Sequence, residues 1–389
     1  MNAERLIADR AKRIDASGVR RVFDLSANLK DPINLSIGQP DFPVPEAMKQ
    51  AAIDAIRADR NGYTVTQGVA PLRERISEWL ATDLGWSGDA GMLVTSGTSG
   101  GLGLAMMAML QEGDELIVPD PYFVLYPQVA LVCGATPVYC DTYPDFRMTA
   151  QRVEPLITER TKAVLFDSPS NPCGVVATRD ECQDLLDLCR AKDVLLISDE
   201  IYDGFTFPEY TTDSARNDPS IARCPSPARF EGAEDDVLLI RGFGKTYGPT
   251  GWRMGYAAGP SPLIEQMTKL QQYTFVCPPS MAQWGCIPAF DVDMSEQIAD
   301  YALRRDLVVS KLSAVTEVAV PGGAFYAFVK IPERLGIDDA EFLERCIERN
   351  LLIIPGNVFS RRSTHFRVSY ATNVDALERG LDLLVELLS

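Results

Sequence analysis

Between about residue 90 and residue 260, short β-rich runs alternate with stretches of helical periodicity, and this alternation constrains the fold more than any other feature. "MLVTSG" is followed by the helical "LGLAMMAMLQ", then by "DELIVPD", "ATPVYCD" and "KAVLFDSP". A helical "RDECQDLLDLCRAK" precedes "DVLLISDE", and "DDVLLIRGF" and "RMGYAAG" close the series. Strands alternating with helices predict a largely parallel sheet covered on both faces. In such sheets function collects in the loops at the strands' carboxyl ends. The C-terminal part reads differently. A long helix from about Asp293 to Val315 precedes the strands "AFYAFVKI", "LLIIPG" and "HFRVSY", an α+β pattern suited to a smaller second domain.

With 389 residues, 46% of them hydrophobic, the chain can bury a large core. Its formal net charge of −17 argues against nucleic acid and anionic membrane surfaces as partners. The N-terminus mixes charged and apolar residues without the apolar stretch of a secretory signal, and no run approaches the length of a spanning helix. A cytoplasmic location is the expectation. Nine cysteines occur without a C-x-x-C pair, which suits reduced, buried thiols. Cys182 and Cys189, two helical turns apart, read as packing residues. The one histidine, His365, leaves little room for a Ser-His-Asp hydrolase or a histidine-based zinc enzyme, and no metal site is expected. His365 reads as a satisfied polar residue at a strand start. The polar stretch "PEYTTDSARNDPSIARCPSPARFEGAEDD" reads as a long surface loop.

Four loops place reactive or anion-friendly groups after expected strands. "VTSGTSGG" (Val94 to Gly101) puts glycines and hydroxyls at a helix N-terminus, which suits an anion, though alone it is equally an ordinary helix cap. "DSPSNPCG" (Asp167 to Gly174) alone reads as an Asn-Pro turn. In "ISDEIYDG" (Ile197 to Gly204), Asp199 and Glu200 follow an apolar strand, so at least one carboxylate lies near the sheet's end. They could serve a metal, a base or a buried cation. "RGFGKTYGPTGWRMGY" (Arg241 to Tyr256) carries a Gly-Lys-Thr that looks like the tail of a P-loop. That loop needs a glycine five residues before the Gly-Lys pair, where this chain has Leu239 inside a strand. Lys245 therefore has another task.

Taken together and in order, these blocks resemble the class I/II (aspartate-aminotransferase-like) family of pyridoxal 5′-phosphate (PLP) enzymes of fold type I. "NLSIGQPDFPVP", "YTVTQGVAPLRERI", "SNPCG", "SDEIYDGF", "GKTYGPTGWRMGY", "GGAFYAF" and "FRVS" follow in family order over nearly the whole chain. The resemblance implies an α/β large domain with a mostly parallel, seven-stranded type of sheet, spanning 46–285. Residues 1–45 and 286–389 would form a smaller α+β domain. It also assigns roles. Lys245 would bind PLP as a Schiff base and then shuttle the proton. Asp199 would pair with the pyridine nitrogen, and Asn171 and Tyr202 would hold the ring's 3′ oxygen. Thr98, Ser99 and Arg253 would bind the phosphate, with Gly97 allowing close approach. Tyr63 would reach that phosphate from the second subunit of a homodimer. Arg367 would clamp the substrate carboxylate with Gly38 and Asn171 beside it.

The chain departs from the family pattern in three ways. Phe123 stands where a tryptophan or tyrosine often stacks on the cofactor. Gly242 and Gly244 replace common hydroxyl residues, so one phosphate donor is expected to be missing. "KLQQYTFVCPP" carries glutamines where the best-known aspartate enzymes have an arginine, so that device for aspartate is absent. Tyr126, Tyr273 and Phe275 are expected near the pocket, which favours a broad donor range or one of apolar and aromatic donors. The expected reaction is transfer of an L-amino acid's amino group to a 2-oxo acid, 2-oxoglutarate, by a ping-pong cycle. A β-lyase on the same fold is the alternative. An aminotransferase-like DNA-binding regulator fits poorly with so acidic a chain.

Overall fold

The Leu-, Ile- and Val-rich runs of the alternating region are five to seven residues long, the usual length of strands buried in a sheet. The computed structural model describes residues 3–19, 22, 29–86, 90–212 and 223–389. Its strands in chain order are β1 (Ile33–Asn34), β2 (Gly91–Ser96), β3 (Glu115–Asp120), β4 (Thr136–Asp141), β5 (Thr161–Asp167) and β6 (Leu195–Asp199). They continue as β7 (Val237–Gly242), β8 (Met254–Gly259), β9 (Tyr326–Lys330), β10 (Leu351–Leu352), β11 (Ile354–Pro355) and β12 (His365–Ser369).

Seven strands form one sheet in the order β2-β8-β7-β6-β5-β3-β4. Strands β3, β7 and β8 are buried along their whole length, as a sheet covered on both faces requires. Helices Gly97–Met109 and Ser261–Thr274 pack together, the former also against β7 and β8. Helix Arg179–Ala191 starts at a capping box. The Thr178 hydroxyl accepts from the Glu181 N–H at 3.2 Å, and the Glu181 carboxylate accepts from the Thr178 N–H at 2.7 Å. Its buried stripe is Cys182, Leu185, Leu186 and Cys189, so the cysteine pair packs as its spacing predicts.

Strand β8 is antiparallel to both its neighbours while the other pairs are parallel. An antiparallel strand begins where parallel ones finish. The end of β2 (Ser96) therefore pairs with the start of β8 (Met254), and Gly242 at the end of β7 with Gly255. Asp167 and Asp199 are partners at the ends of β5 and β6. All four reactive loops meet on this one edge.

The C-terminal part forms a three-stranded antiparallel sheet, β11-β12-β9, and β10 pairs in parallel with β1. The expected strand "LLIIPG" is thus two short strands serving different sheets. Helix Ser295–Leu312 falls within the predicted span, and Phe325, Phe328, Phe342, Phe366 and Leu381 belong to the core beside it. Among the described residues no helix is long and apolar enough to cross a membrane.

The long polar stretch differs from its expectation as a surface loop. Residues 213–222 lie outside the described residues, but Cys224, Ala228 and Ala233 are fully buried. The Trp86 indole N–H donates to the Ala228 carbonyl at 2.7 Å, which draws this part of the stretch inward.

Beneath the sheet's edge lies a buried charge cluster. Arg241, 1% exposed, donates to Glu200 Oε2 at 2.8 and 3.0 Å and to Asp83 Oδ2 at 2.7 Å. Arg229 reaches Asp83 Oδ1 at 2.8 Å, and Ser198 and Ser226 donate to Glu200 Oε1. Burial works against ionisation of Asp83, yet Arg241 and Arg229 hold its carboxyl below the usual range. Removing one partner of such a cluster leaves uncompensated buried charge. Arg241→Ala is expected to cost about 3–5 kcal/mol, read as a lower midpoint in denaturant unfolding followed by far-UV circular dichroism.

Candidate active site

Strand alternation sends adjacent side chains to opposite faces, and at the end of β6 it separates two neighbouring acids. Glu200 turns to Arg241 in the interior, whereas Asp199 lines a cavity of about 590 Å³ along the sheet's edge. The wall from the sheet carries Gly97, Thr98, Ser99, Asp167, Asn171, Asp199, Tyr202, Lys245 and Arg253. The facing wall carries Ile37, Gly38 and Gln39 near β1, Tyr326 from β9, Phe359, and Arg367 from β12. Phe123 also lines the cavity. Tyr63 does not: it is 89% exposed on the surface. Tyr126 lines the cavity as expected, but Tyr273 and Phe275 lie outside it, Tyr273 being almost fully exposed.

One end of the cavity is built for an anion. Gly97 opens helix Gly97–Met109 with φ of +69°, and a Cβ there would stand 2.8 Å from Arg253 Nη2. Glycine thus gives both the turn and the close approach. Thr98 and Ser99 sit in the first turn of that helix, where free N–H groups and the dipole favour negative charge. Arg253 enters β8 in a left-handed conformation and donates to the Thr250 carbonyl at 3.1 Å. A Cβ at Gly242 would stand 2.8 Å from Ile201 Cδ1 and 3.1 Å from Thr98 Cγ2. A hydroxyl residue there would have to displace Ile201, so the departure at Gly242 is matched by local packing.

Another part of the cavity is built for a cation. Asp199 Oδ2 accepts from the Tyr126 hydroxyl at 2.9 Å and Oδ1 from the Ile201 N–H at 3.3 Å. Asp167 Oδ2 accepts from the Asn171 N–H at 3.1 Å. Among the described residues no cation pairs with either carboxylate. Burial raises both above the usual carboxylate range.

Lys245 Nζ donates to the Gly38 carbonyl at 2.5 Å and lies 5.7 Å from the Phe325 ring. Burial, with the charges of Arg367 and Arg253, lowers it from 10.5 to about 8. A neutral amine is the nucleophilic form, so its fraction grows as pH rises through that value. In cofactor-free protein, acylation of Lys245 by an amine-selective reagent is expected to rise with a midpoint near pH 8. Peptide mass spectrometry reads it, and exposed lysines serve as the internal standard.

Arg367 Nη1 donates to Asn171 Oδ1 and Nη2 to the Ser36 carbonyl, both at 3.0 Å. Its guanidinium lies 4.2 Å from the Tyr326 ring centroid and 4.6 Å from that of Phe359. Its Nε is buried without a hydrogen-bond partner among the described residues. His365 sits elsewhere. It is stacked on Phe328 at 5.1 Å beside Tyr143 and Phe146, and burial lowers it to about 4, so it is neutral and structural.

The family model for class I and II aminotransferases matches residues 30–384. The chain belongs to that family. An aspartate aminotransferase of Pyrococcus abyssi is 32% identical to this aminotransferase over 98% of both chains. Aromatic-amino-acid aminotransferase 2 of Thermococcus litoralis is 30% identical, again over 98% of both. The solved aspartate aminotransferase of Thermotoga maritima superposes with a TM-score of 0.89 at 30% identity, covering 98% of this chain and 100% of that one. The fold is therefore that of the fold type I transferases, and enzymes of this family use PLP. The aminotransferase cavity fits that group in its donor set. It offers an anion cup, a buried carboxylate lacking a cation, and between these and the Arg367 side an amine of lowered basicity.

Sequence reasoning missed the Tyr126–Asp199 hydrogen bond, the second carboxylate Asp167, and the aromatic pair Tyr326 and Phe359 around Arg367. Tyr326 stands within "GGAFYAF" and Asp167 opens "DSPSNPCG", so both lay inside stretches already singled out. Phe359 carried no local signal.

Proposed function

We propose that this aminotransferase moves the amino group of an L-amino acid to 2-oxoglutarate in a ping-pong cycle at one PLP site. The observation that carries the reading is the sheet-edge cavity, where Lys245 shares one space with Asp199, an anion cup and Arg367; among the described residues no cation pairs with Asp199, and the Arg367 Nε has no partner. When bound, the cofactor supplies an electron-withdrawing ring that accepts the electron pair freed at the substrate's Cα.

In this reading Gly97, Thr98, Ser99 and Arg253 hold the phosphate by N–H groups, hydroxyls and charge. Asp199 pairs with the protonated ring nitrogen, and Tyr126 fixes the carboxylate's orientation. Asn171 and Tyr202 hydrogen-bond the 3′ oxygen, and Phe123 packs on the ring. Arg367 takes the substrate carboxylate in a fork that its bonds to Asn171 and Ser36 already orient, with the Gly38 N–H beside it. Lys245 Nζ would anchor the cofactor and, as a free amine, would take and return the proton at the substrate's Cα. Its lowered basicity keeps a working fraction neutral near pH 7.

The same reading assigns residues 46–285 to a cofactor-binding domain and the remainder to a smaller domain. Tyr63, exposed on one chain, would complete the phosphate site of a second copy in a homodimer. Val19, Ile37 and Phe359 give the Arg367 side of the cavity an apolar surface, which supports donors with apolar or aromatic side chains.

The test loads purified protein with PLP and supplies a panel of L-amino acids with 2-oxoglutarate, reading L-glutamate formation. Apolar and aromatic donors giving parallel double-reciprocal lines are the expected result. Pyruvate and ammonia from a cysteine conjugate, formed without a 2-oxo acid, would instead establish the β-lyase.

A further inference from the structure

Tyr326, the first residue of β9, is a buried phenol in the cavity wall to which the reading above gives no task. Its hydroxyl accepts a hydrogen bond from the Tyr202 hydroxyl at 3.1 Å. The same oxygen packs against Gly38, where a Cβ would stand 3.2 Å away. Its ring lies under the Arg367 guanidinium at 4.2 Å. One side chain thus touches Arg367, Gly38 and Tyr202.

We propose that Tyr326 is a positioning residue that joins the carboxylate clamp to Tyr202, its ring fixing the plane of Arg367 and its hydroxyl directing that of Tyr202. The proposal rests on the assignment of Tyr202 to the cofactor's ring oxygen. A phenol has one proton to give and lone pairs to receive another. When Tyr202 turns its proton toward the ring oxygen, its own oxygen becomes a free acceptor, and the Tyr326 hydroxyl stands within reach to fill it. A donor behind a donor polarises the chain and strengthens the outer bond. Burial raises both phenols, so both keep their protons across the working range. The ring meanwhile offers Arg367 a flat, electron-rich face, which suits a planar guanidinium and holds its fork in one orientation.

The two contributions separate by substitution. Tyr326→Phe removes the hydroxyl and keeps the ring, whereas Tyr326→Leu removes both. The PLP-loaded wild type, Tyr326→Phe, Tyr202→Phe and the double variant are titrated with pH while the visible absorbance band is followed. A weaker Tyr202 donor leaves more negative charge on the ring oxygen to retain the proton it shares with Lys245 Nζ. Tyr326→Phe is therefore expected to raise the midpoint by about 0.5 pH unit. In the Tyr202→Phe background the second substitution is expected to add nothing. A wild-type midpoint in Tyr326→Phe, or the same shift with and without Tyr202, overturns the hydroxyl's part. Tyr326→Leu is expected to raise the amino-acid KM about tenfold over Tyr326→Phe, and equal KM values overturn the ring's part. A wild type without a pH-responsive visible band overturns the cofactor assignment itself, a different failure from either.

Discussion

Lys245→Ala is expected to abolish transamination, lowering kcat/KM by at least about 10⁵-fold, and to remove the visible absorbance band of the PLP-loaded protein. Both effects follow from one atom. Lys245 Nζ is the one amine lining the cavity among the described residues, and it stands between the anion cup and the Arg367 wall. On the proposed reading, its removal takes away the covalent anchor and the proton carrier together. Gly97, Thr98, Ser99 and Arg253, the groups proposed to hold the phosphate, stay in place, so the variant should still bind PLP, measured by equilibrium dialysis. Loss of activity with an unchanged band would show that another residue holds the cofactor, and retained activity would remove Lys245 from the mechanism.

The second large effect is expected at Asp199. Asp199→Asn keeps the shape and can still meet the Tyr126 hydroxyl and the Ile201 N–H, but it cannot offer negative charge to a protonated ring nitrogen. A loss of kcat/KM on the order of 10³-fold or more follows. Because the buried carboxylate without a cation is itself unfavourable, the cofactor-free variant is expected to unfold at a higher denaturant concentration than wild type. Greater stability with much lower activity is the signature of a group placed for chemistry rather than for folding. If Asp199→Asn kept near-normal kcat/KM, the ring-nitrogen assignment would fall. Asp167, its neighbour across the β5–β6 pair, would then be the next carboxylate to test.

Much of this architecture was legible because it is written in local pattern. The period of alternation marked the sheet, and four loops with glycine, hydroxyl, acidic and lysine residues marked its functional edge. Direction was not legible. Nothing in "RMGYAAG" distinguishes an antiparallel strand from a parallel one, yet the reversal of β8 is what brings Arg253 to the edge holding Thr98 and Lys245. The division of labour between Asp199 and Glu200 needed the partner as well as the period. Alternation says that they face opposite ways, but only Arg241, packed from another strand, shows which one faces inward. The pair β1 and β10, two residues each and more than 300 apart in sequence, was invisible for the same reason. Tyr273 was expected near the pocket on aromatic character alone, and its almost fully exposed position shows how little composition says about position.

The two walls of the cavity have different origins, and this bears on how such an enzyme changes its substrate. The groups assigned to the reaction on the sheet side lie at the ends of the strands that also carry the core, Asp199 being the last residue of β6. On the other wall, outside the large sheet, Phe359 packs on Arg367, whereas none of those groups hydrogen-bonds to Ile37 or Gln39. Selectivity can therefore drift through substitutions there while the reaction is inherited intact. A library aimed at new amino donors would begin at Ile37 and Gln39 and leave the sheet's edge alone.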